Sequence, residues 1–334
     1  MSRLFLLTPD YPPMLGGVAR YLGAVKETLG ERLEVRATDG KLPTHLAMVL
    51  EFRTKQKEGF ELLVSHIFPV GTAAFVSGVP YTLILHGMDF DLAKRSFVRR
   101  FLAKRILRNA KTVIANSVAL ANEIADFAHV KKPMVVYPCV RQEMIDASAD
   151  LPARAQKDEH EDFILLTVAR LVPRKGHTRI FELMRNLPRL RYQVVGDGPY
   201  ILELEKEAER LSVRERVQFF HHVSDFDLPT FYREADLFVM PTISTPYDRE
   251  GFGIVYLEAA LFGLPVVASD LPGVREAVLD HMTGCLVNSN EELRDAIVYL
   301  WSHPEIRIKY GADARLRVLG EFSREHAFQS LLNL

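Results

Sequence analysis

Glu250-Gly-Phe-Gly-Ile-Val-Tyr-Leu-Glu258 is the stretch from which the fold can be read. The apolar run Asp236-Leu-Phe-Val-Met-Pro241 precedes it and Ala259-Ala-Leu-Phe continues it. The first reads as a buried strand, and the residues after Gly253 read as a helix. Gly251 and Gly253 suit a tight strand-to-helix turn at which backbone approaches a ligand closely. The amides of Phe252, Gly253 and Ile254 then lie at or near a helix N-terminus, whose unpaired N–H groups and dipole favour an anion. Glu250 falls before this helix and Glu258 inside it, so the two carboxylates can address different parts of one ligand. A capped helix with two solvated glutamates accounts for the same residues.

The rest of the second half follows the same rhythm. Strands are predicted at Phe163–Val168, Tyr192–Val195, Val217–Phe220, Leu237–Met240 and Pro265–Ala268. The first half gives Leu4–Leu7, Leu33–Ala37, Leu62–His66, Tyr81–Leu85, Val113–Ala115 and Met134–Val136, with a helix at Val18–Leu29. Apolar runs alternating with helical stretches predict parallel sheets covered by helices on both faces. The fold class is therefore α/β, with two doubly wound, Rossmann-like domains facing a central cleft. Ala147–Asp162, rich in Ala, Asp and Glu and broken by Pro152, interrupts the alternation and reads as the linker. The expected domains are residues 1–150 and 151–320, with Glu321–Leu334 as a terminal helix packing back toward the first.

Composition narrows the function classes. A chain of 334 residues with 48% hydrophobic and 25% charged residues is ordinary for a globular protein and long enough for two domains. A net charge of −1 carries no nucleic-acid signature. Cys139 and Cys285 are too few for a disulfide framework or a cysteine-rich zinc site and fit a reducing cytosol. No apolar run approaches bilayer length. Met1–Leu7 meets Asp10 and Pro12-Pro13 too early for a signal peptide and reads as a first strand, so a cytoplasmic protein is expected.

Ligands of such sheets bind beyond the carboxyl ends of the strands, which singles out several loops. Gly16-Gly17 sits between the first strand and its helix and can bring amides against a phosphate or sugar. His86 begins the loop after Tyr81–Leu85. Arg170-Leu-Val-Pro-Arg-Lys-Gly176 places cations past a strand end, where Arg170 and Lys175 can grip a diphosphate. Gly196-Asp-Gly198 lacks the third glycine of a nicotinamide-binding turn, since position 201 is Ile. His221–Asp225, which includes Val223, can offer backbone groups to a base edge. Two Asp-x-Asp triplets, Asp89/Asp91 and Asp225/Asp227, have the form of a metal clasp, but Asp225 suits a cap for a helix starting near Leu228. No Ser/His/Asp or Cys/His nucleophilic set stands out. Lys94–Lys111 holds eight cations and no acid, with Phe97, Phe101, Leu102 and Ile106 at helical spacing. It reads either as a basic amphipathic helix for anionic lipid or as a packed helix with a solvated face.

In this order, Arg170–Gly176, Gly196-Asp-Gly198, Glu250–Glu258 and Gly263-Leu-Pro-Val-Val-Ala-Ser269 resemble the retaining glycosyltransferases of family 4, which have the GT-B fold. Gly16-Gly17, His86-Gly87 and Asn116-Ser117 extend the resemblance over nearly the whole chain. The phosphatidylinositol mannosyltransferase branch, which uses GDP-mannose, looks most similar. The first domain is short for the family, a departure that bears on the acceptor pocket. The resemblance implies a hexosyltransferase, mannose favoured, that takes a GDP- or UDP-sugar and a lipid-linked or glycan acceptor and needs no obligatory metal or cofactor.

Residue by residue, the resemblance implies that Arg170 and Lys175 hold the diphosphate and that Glu258 accepts from ribose hydroxyls. Glu250, with the amides of Phe252 and Gly253, positions the transferred sugar. His86 contacts that sugar, and Gly16-Gly17 approaches the phosphate or the acceptor. No carboxylate nucleophile is evident, so same-face attack is expected, with the departing phosphate taking the acceptor proton. Arg99, Arg100, Lys104 and Arg105 form the expected membrane or acceptor surface, on the cytosolic face. Two rivals share the donor-binding features: a nucleotide-sugar epimerase and a non-catalytic nucleotide-sugar-binding subunit.

Overall fold

The computed structural model describes residues 2–14, 16–38, 40–151, 161–244 and 251–334. Glu250 and most of the expected linker lie outside the described residues. The chain divides into two compact units. The described parts of the first fall within residues 2–139, 251–252 and 324–334; those of the second fall within 140–244 and 253–323.

The first unit holds a parallel sheet of β1 (Arg3–Thr8), β2 (Leu33–Ala37), β3 (Phe60–Val64), β4 (Tyr81–Leu85), β5 (Thr112–Ala115) and β6 (Met134–Val135). The spatial order is β2-β1-β3-β4-β5-β6. Strands β1, β4 and β5 read as near-continuous apolar runs because both faces are covered, whereas the edge strand β2 is largely open. On one face Phe5, Leu7, Leu62, Val64, Leu83 and Leu85 meet Phe52, Val70 and Ile106 from helical segments. On the other, Leu4, Leu6, Leu63 and Ile84 meet Tyr21, Leu22, Phe328 and Leu331. Each such side chain contributes about 1.5–3 kcal/mol on full burial.

The second unit repeats the plan with β7 (Phe163–Val168), β8 (Leu190–Val195), β9 (Val217–Phe220), β10 (Leu237–Met240), β11 (Val266–Ser269) and β12 (Gly284–Val287), in the order β12-β11-β10-β7-β8-β9. Strand β12 was not expected from the sequence. It is four residues long, lies at the sheet edge and opens with a glycine, so it shows neither a long apolar run nor alternation.

The closing segment also differs from expectation. Glu321 ends a long helix, Pro304–Glu321, instead of starting one. Phe322 leaves helical geometry at φ −119°, ψ 13°. A four-residue helix, Arg324–Ala327, and a 3-10 turn, Gln329–Asn333, complete the chain. Phe328 packs edge-on against Tyr21, and Arg32 donates to the carbonyls of Leu332 and Leu334 at 3.1 and 2.5 Å. These contacts join residues 324–334 to the first unit. The helix Gln142–Ala147 belongs to the second, where the Arg233 and Arg315 guanidinium groups donate to the carbonyls of Ala147 and Ser148.

Candidate active site

In each sheet the strand order reverses at one point, between β1 and β3 in the first and between β7 and β10 in the second. Crevices open beyond the carboxyl ends of strands at such points, and most of the residues singled out above lie there.

In the second unit the loops after β7, β8 and β9 are hydrogen-bonded together. Ala169 and Leu171 amides donate to Val195 and Asp197 carbonyls at 3.0 and 2.9 Å, and the Gly196 amide donates to the Phe220 carbonyl at 2.9 Å. Gly196 has φ +139°, and a Cβ there would stand 2.0 Å from the Ala169 carbonyl oxygen. This close approach of two loops accounts for glycine at that position. Asp197 accepts from the His222 amide at 3.2 Å, which orders the His221–Asp225 loop in which Val223 is half-buried.

Arg170 is exposed, whereas Lys175 is 7% exposed, with its Nζ 3.5 Å from the Met240 sulfur at the end of β10. His177 is buried nearby and held neutral: burial, and then the Lys175 charge, push its pKa down to about 3. The β7 and β10 loops meet again where the Ile243 amide donates to the Arg174 carbonyl at 2.6 Å. A cation set at a strand end beside this switch point can neutralise a phosphate.

The helix after β10 is Ile254–Leu261, with Gly253 as its N-cap at φ 83°. Ile254 opens it, and Phe252 directly precedes the cap. Glu258 is 1% exposed inside it. One carboxylate oxygen accepts from the Tyr232 hydroxyl at 2.9 Å, and the other faces Arg141 Nη2 at 3.7 Å. The solvated-glutamate alternative therefore does not hold for Glu258. A buried carboxylate held on one side by a hydroxyl can accept hydrogen bonds from a ligand's hydroxyl groups.

In the first unit Gly16 is the N-cap of the helix Gly17–Leu29. Gly16 has φ +144° with nothing within 4 Å of a would-be Cβ, so its open side is free for backbone approach. His86 is 7% exposed, and its Nε2 is buried without a hydrogen-bond partner among the described residues. Burial, then the His66 charge, depress its pKa to about 3, so it is neutral at physiological pH. Tyr21 packs edge-on against its ring. Gly251 comes within 3.7 Å of the place a Cβ on Gly87 would take.

Sequence reasoning did not single out the pair beside His86. Asp10, past β1, meets His66 Nε2 past β3 at 3.1 Å, and this bond holds the carboxyl below its ordinary pKa. Ser65 contacts His66 Nδ1 at 2.8 Å and donates to Thr8 Oγ1 at 3.0 Å. The available signal was position, since Asp10 lies in the same strand-end loop as Gly16. Arg141 and Tyr232 carried no such signal.

The Asp-x-Asp carboxylates have protein partners. Asp89 accepts from the Ile67 amide at 3.0 Å, and burial raises its pKa to about 6. Asp91 pairs with Lys94 at 2.7 Å. Asp225 is not the helix cap expected: Asp227 occupies the N-cap of Leu228–Glu234, and Asp225 instead pairs with Arg141 at 2.6 Å.

The basic stretch is two elements. Lys94 ends one helix, and Ser96 caps the next, Phe97–Asn109. Ala103, Ile106 and Leu107 face the core, while Phe97 and Phe101 are 84% and 54% exposed. Lys94 and Lys111 are paired with Asp91 and Glu61, and Arg108 donates to the Ala128 carbonyl. Arg99, Arg100 and Arg105 point outward, and Lys104 is half-buried over Phe127. No helix among the described residues is long and apolar enough to cross a membrane.

Comparison with known proteins matches this architecture. The model of the glycosyl transferases group 1 family matches residues 151–317, and that of the glycosyl transferase 4-like domain matches residues 3–139. The GDP-mannose-dependent alpha-(1-6)-phosphatidylinositol monomannoside mannosyltransferase of Mycolicibacterium smegmatis is 29% identical over 86% of both chains. The protein of the same description from Mycobacterium tuberculosis is 26% identical over 94% of this chain and 93% of its own. Among solved structures, Anabaena Alr3699/HepE in complex with UDP superposes with a TM-score of 0.78 at 22% identity, covering 100% of this chain and 99% of that one. The chain belongs to the glycosyl transferases group 1 family: it is a family 4 type glycosyltransferase of GT-B fold that uses a nucleotide sugar as donor.

Proposed function

We propose that the chain transfers a hexose, mannose in preference, from a GDP- or UDP-sugar to a hydroxyl of a lipid-linked or glycan acceptor, with retention of configuration. The observation that carries this is the buried Glu258 on the helix after β10, in the same unit as Lys175 and Arg170 at the end of β7. Lys175 and Arg170 grip the diphosphate and stabilise charge on the leaving group, while Glu258 accepts from the ribose. Gly196 and Val223 border the nucleotide, and the Phe252, Gly253 and Ile254 amides address the sugar together with Glu250 and Gly251. His86, neutral and with an unmet Nε2, contacts the sugar, and Gly16-Gly17 approaches the phosphate or acceptor. The bond from the anomeric carbon to the phosphate oxygen breaks as the acceptor oxygen attacks from the same face. The acceptor proton passes to the departing phosphate. The two cations take the charge-neutralising part, so no obligatory metal is invoked.

The mycobacterial relatives are described as GDP-mannose-dependent and phosphatidylinositol-directed, which favours mannose and a lipid acceptor. The outward cations and exposed Phe97 and Phe101 favour work at the cytosolic face of an anionic membrane. A thermal-shift panel of GDP-, UDP- and ADP-sugars tests the donor, since the true donor stabilises the folded state by mass action. Product anomers are then assigned by NMR. An inverted linkage, or an altered sugar nucleotide formed without acceptor, overturns the proposal.

A further inference from the structure

We propose that Arg141 is a positioning residue of the donor site: with Glu258 it grips the ribose, donating hydrogen bonds to hydroxyl oxygens whose hydrogens Glu258 accepts. This rests on the donor-site reading above.

Arg141 precedes the helix Gln142–Ala147 and lies between two groups of the second unit. Its Nη1 is 2.6 Å from Asp225, two residues past Val223. Its Nη2 is 3.7 Å from Glu258 Oε1, too far for a hydrogen bond. Nε and Nη2 are both buried and without a hydrogen-bond partner among the described residues. These two N–H groups form one edge of the planar guanidinium and point side by side. Leaving both unmet in a buried place is unfavourable, so an acceptor belongs there. The side chain as a whole is 24% exposed, its open surface lying on atoms other than the buried Nε and Nη2.

The chemistry of the two sides selects the ligand. A carboxylate such as that of Glu258 only accepts and Arg141 only donates, so a group that does both can bridge them. A hydroxyl has one hydrogen to give and lone pairs to receive. A vicinal diol supplies two such oxygens, matching the two free N–H groups of one edge. A nucleotide offers that diol in its ribose. The Asp225 pair holds the guanidinium plane while its other edge serves the sugar. A role confined to tying the Gln142–Ala147 helix to the Asp225 loop would leave the ribose hydroxyls irrelevant.

The test is calorimetric titration of the full chain with UDP and GDP and with their 2′-deoxy and 3′-deoxy counterparts. Wild type should bind a ribonucleotide at least about tenfold more tightly than one of its deoxy forms. Arg141→Met should shrink that ratio at least about fivefold, and donor KM should rise with little change in kcat. Arg141→Lys keeps a cation for Asp225 but loses the two-donor edge. It should show the same loss of discrimination at near-wild-type Tm, so the inference stays testable if the Met variant misfolds. Equal weakening of ribo and deoxy forms in the variants overturns the inference and leaves the donor site standing. A wild type that binds neither nucleotide overturns both.

Discussion

Replacing Arg99, Arg100, Lys104 and Arg105 together by Gln tests whether the helix Phe97–Asn109 meets a membrane. The structure sets the magnitude by sorting the cations of the basic stretch. Lys94, Arg108 and Lys111 already have partners within the protein and are discounted. Five remain: Arg95 lies before the helix and is left in place, and the other four are those replaced, three of them exposed and Lys104 half-buried. At roughly 1 kcal/mol per cation near an anionic leaflet, their loss removes about 4 kcal/mol, or about a thousandfold in partitioning. Gln is nearly as good a helix former as Arg or Lys, and Ala103, Ile106 and Leu107 still anchor the helix, so the fold is retained. The assay is co-sedimentation with vesicles of phosphatidylcholine, with and without phosphatidylglycerol, at low and high salt. Wild type should pellet with the anionic vesicles at low salt, less at high salt, and not with neutral ones. The variant should stay in the supernatant while binding donor normally. A wild type that ignores anionic vesicles at low salt refutes the reasoning and makes the helix an ordinary solvated face.

Arg170→Ala, at an exposed position, should slow transfer by orders of magnitude with no loss of Tm. Lys175→Met should slow it as much while keeping the buried volume; near-normal kcat/KM in either variant would move the diphosphate elsewhere. Glu258→Gln should chiefly raise donor KM, because a ribose contact exists in ground and transition states alike, and a pure kcat effect would reassign it. Asp89 has a folded pKa raised to about 6 from an ordinary 3.8, so ionising it opposes folding and stability falls as pH rises through that window. Asp89→Asn should therefore gain on wild type between pH 4 and 7 by at most about 3 kcal/mol, and identical melting curves across that range would contradict the assignment. Full activity should survive a metal chelator; loss that magnesium or manganese restores would give the metal a part.

Much of the architecture was legible in the residues because each element declares its own burial. Strands covered on both faces need near-continuous apolar runs, and β1, β4, β7 and β10 all show them. Gly253 announced the start of the helix that carries Glu258, and the family motifs placed Arg170 and Lys175 at a strand end. Strand β12 was missed because four edge residues carry too little pattern.

Tertiary structure decided what depends on partners distant in the chain. Glu258 reads alone as a solvated or capping glutamate; only the approach of Tyr232 and Arg141 makes it a buried, oriented carboxylate. Asp225 reads as a helix cap until Arg141 arrives beside it. Asp10 and His66 become a pair because β1 and β3 are neighbours in the sheet, which no local pattern specifies. The eight cations of Lys94–Lys111 look equivalent in the sequence, yet Glu61, Asp91 and the Ala128 carbonyl engage three of them. Periodicity records which side of an element is buried, and the identity of its neighbour is settled only when the sheets assemble.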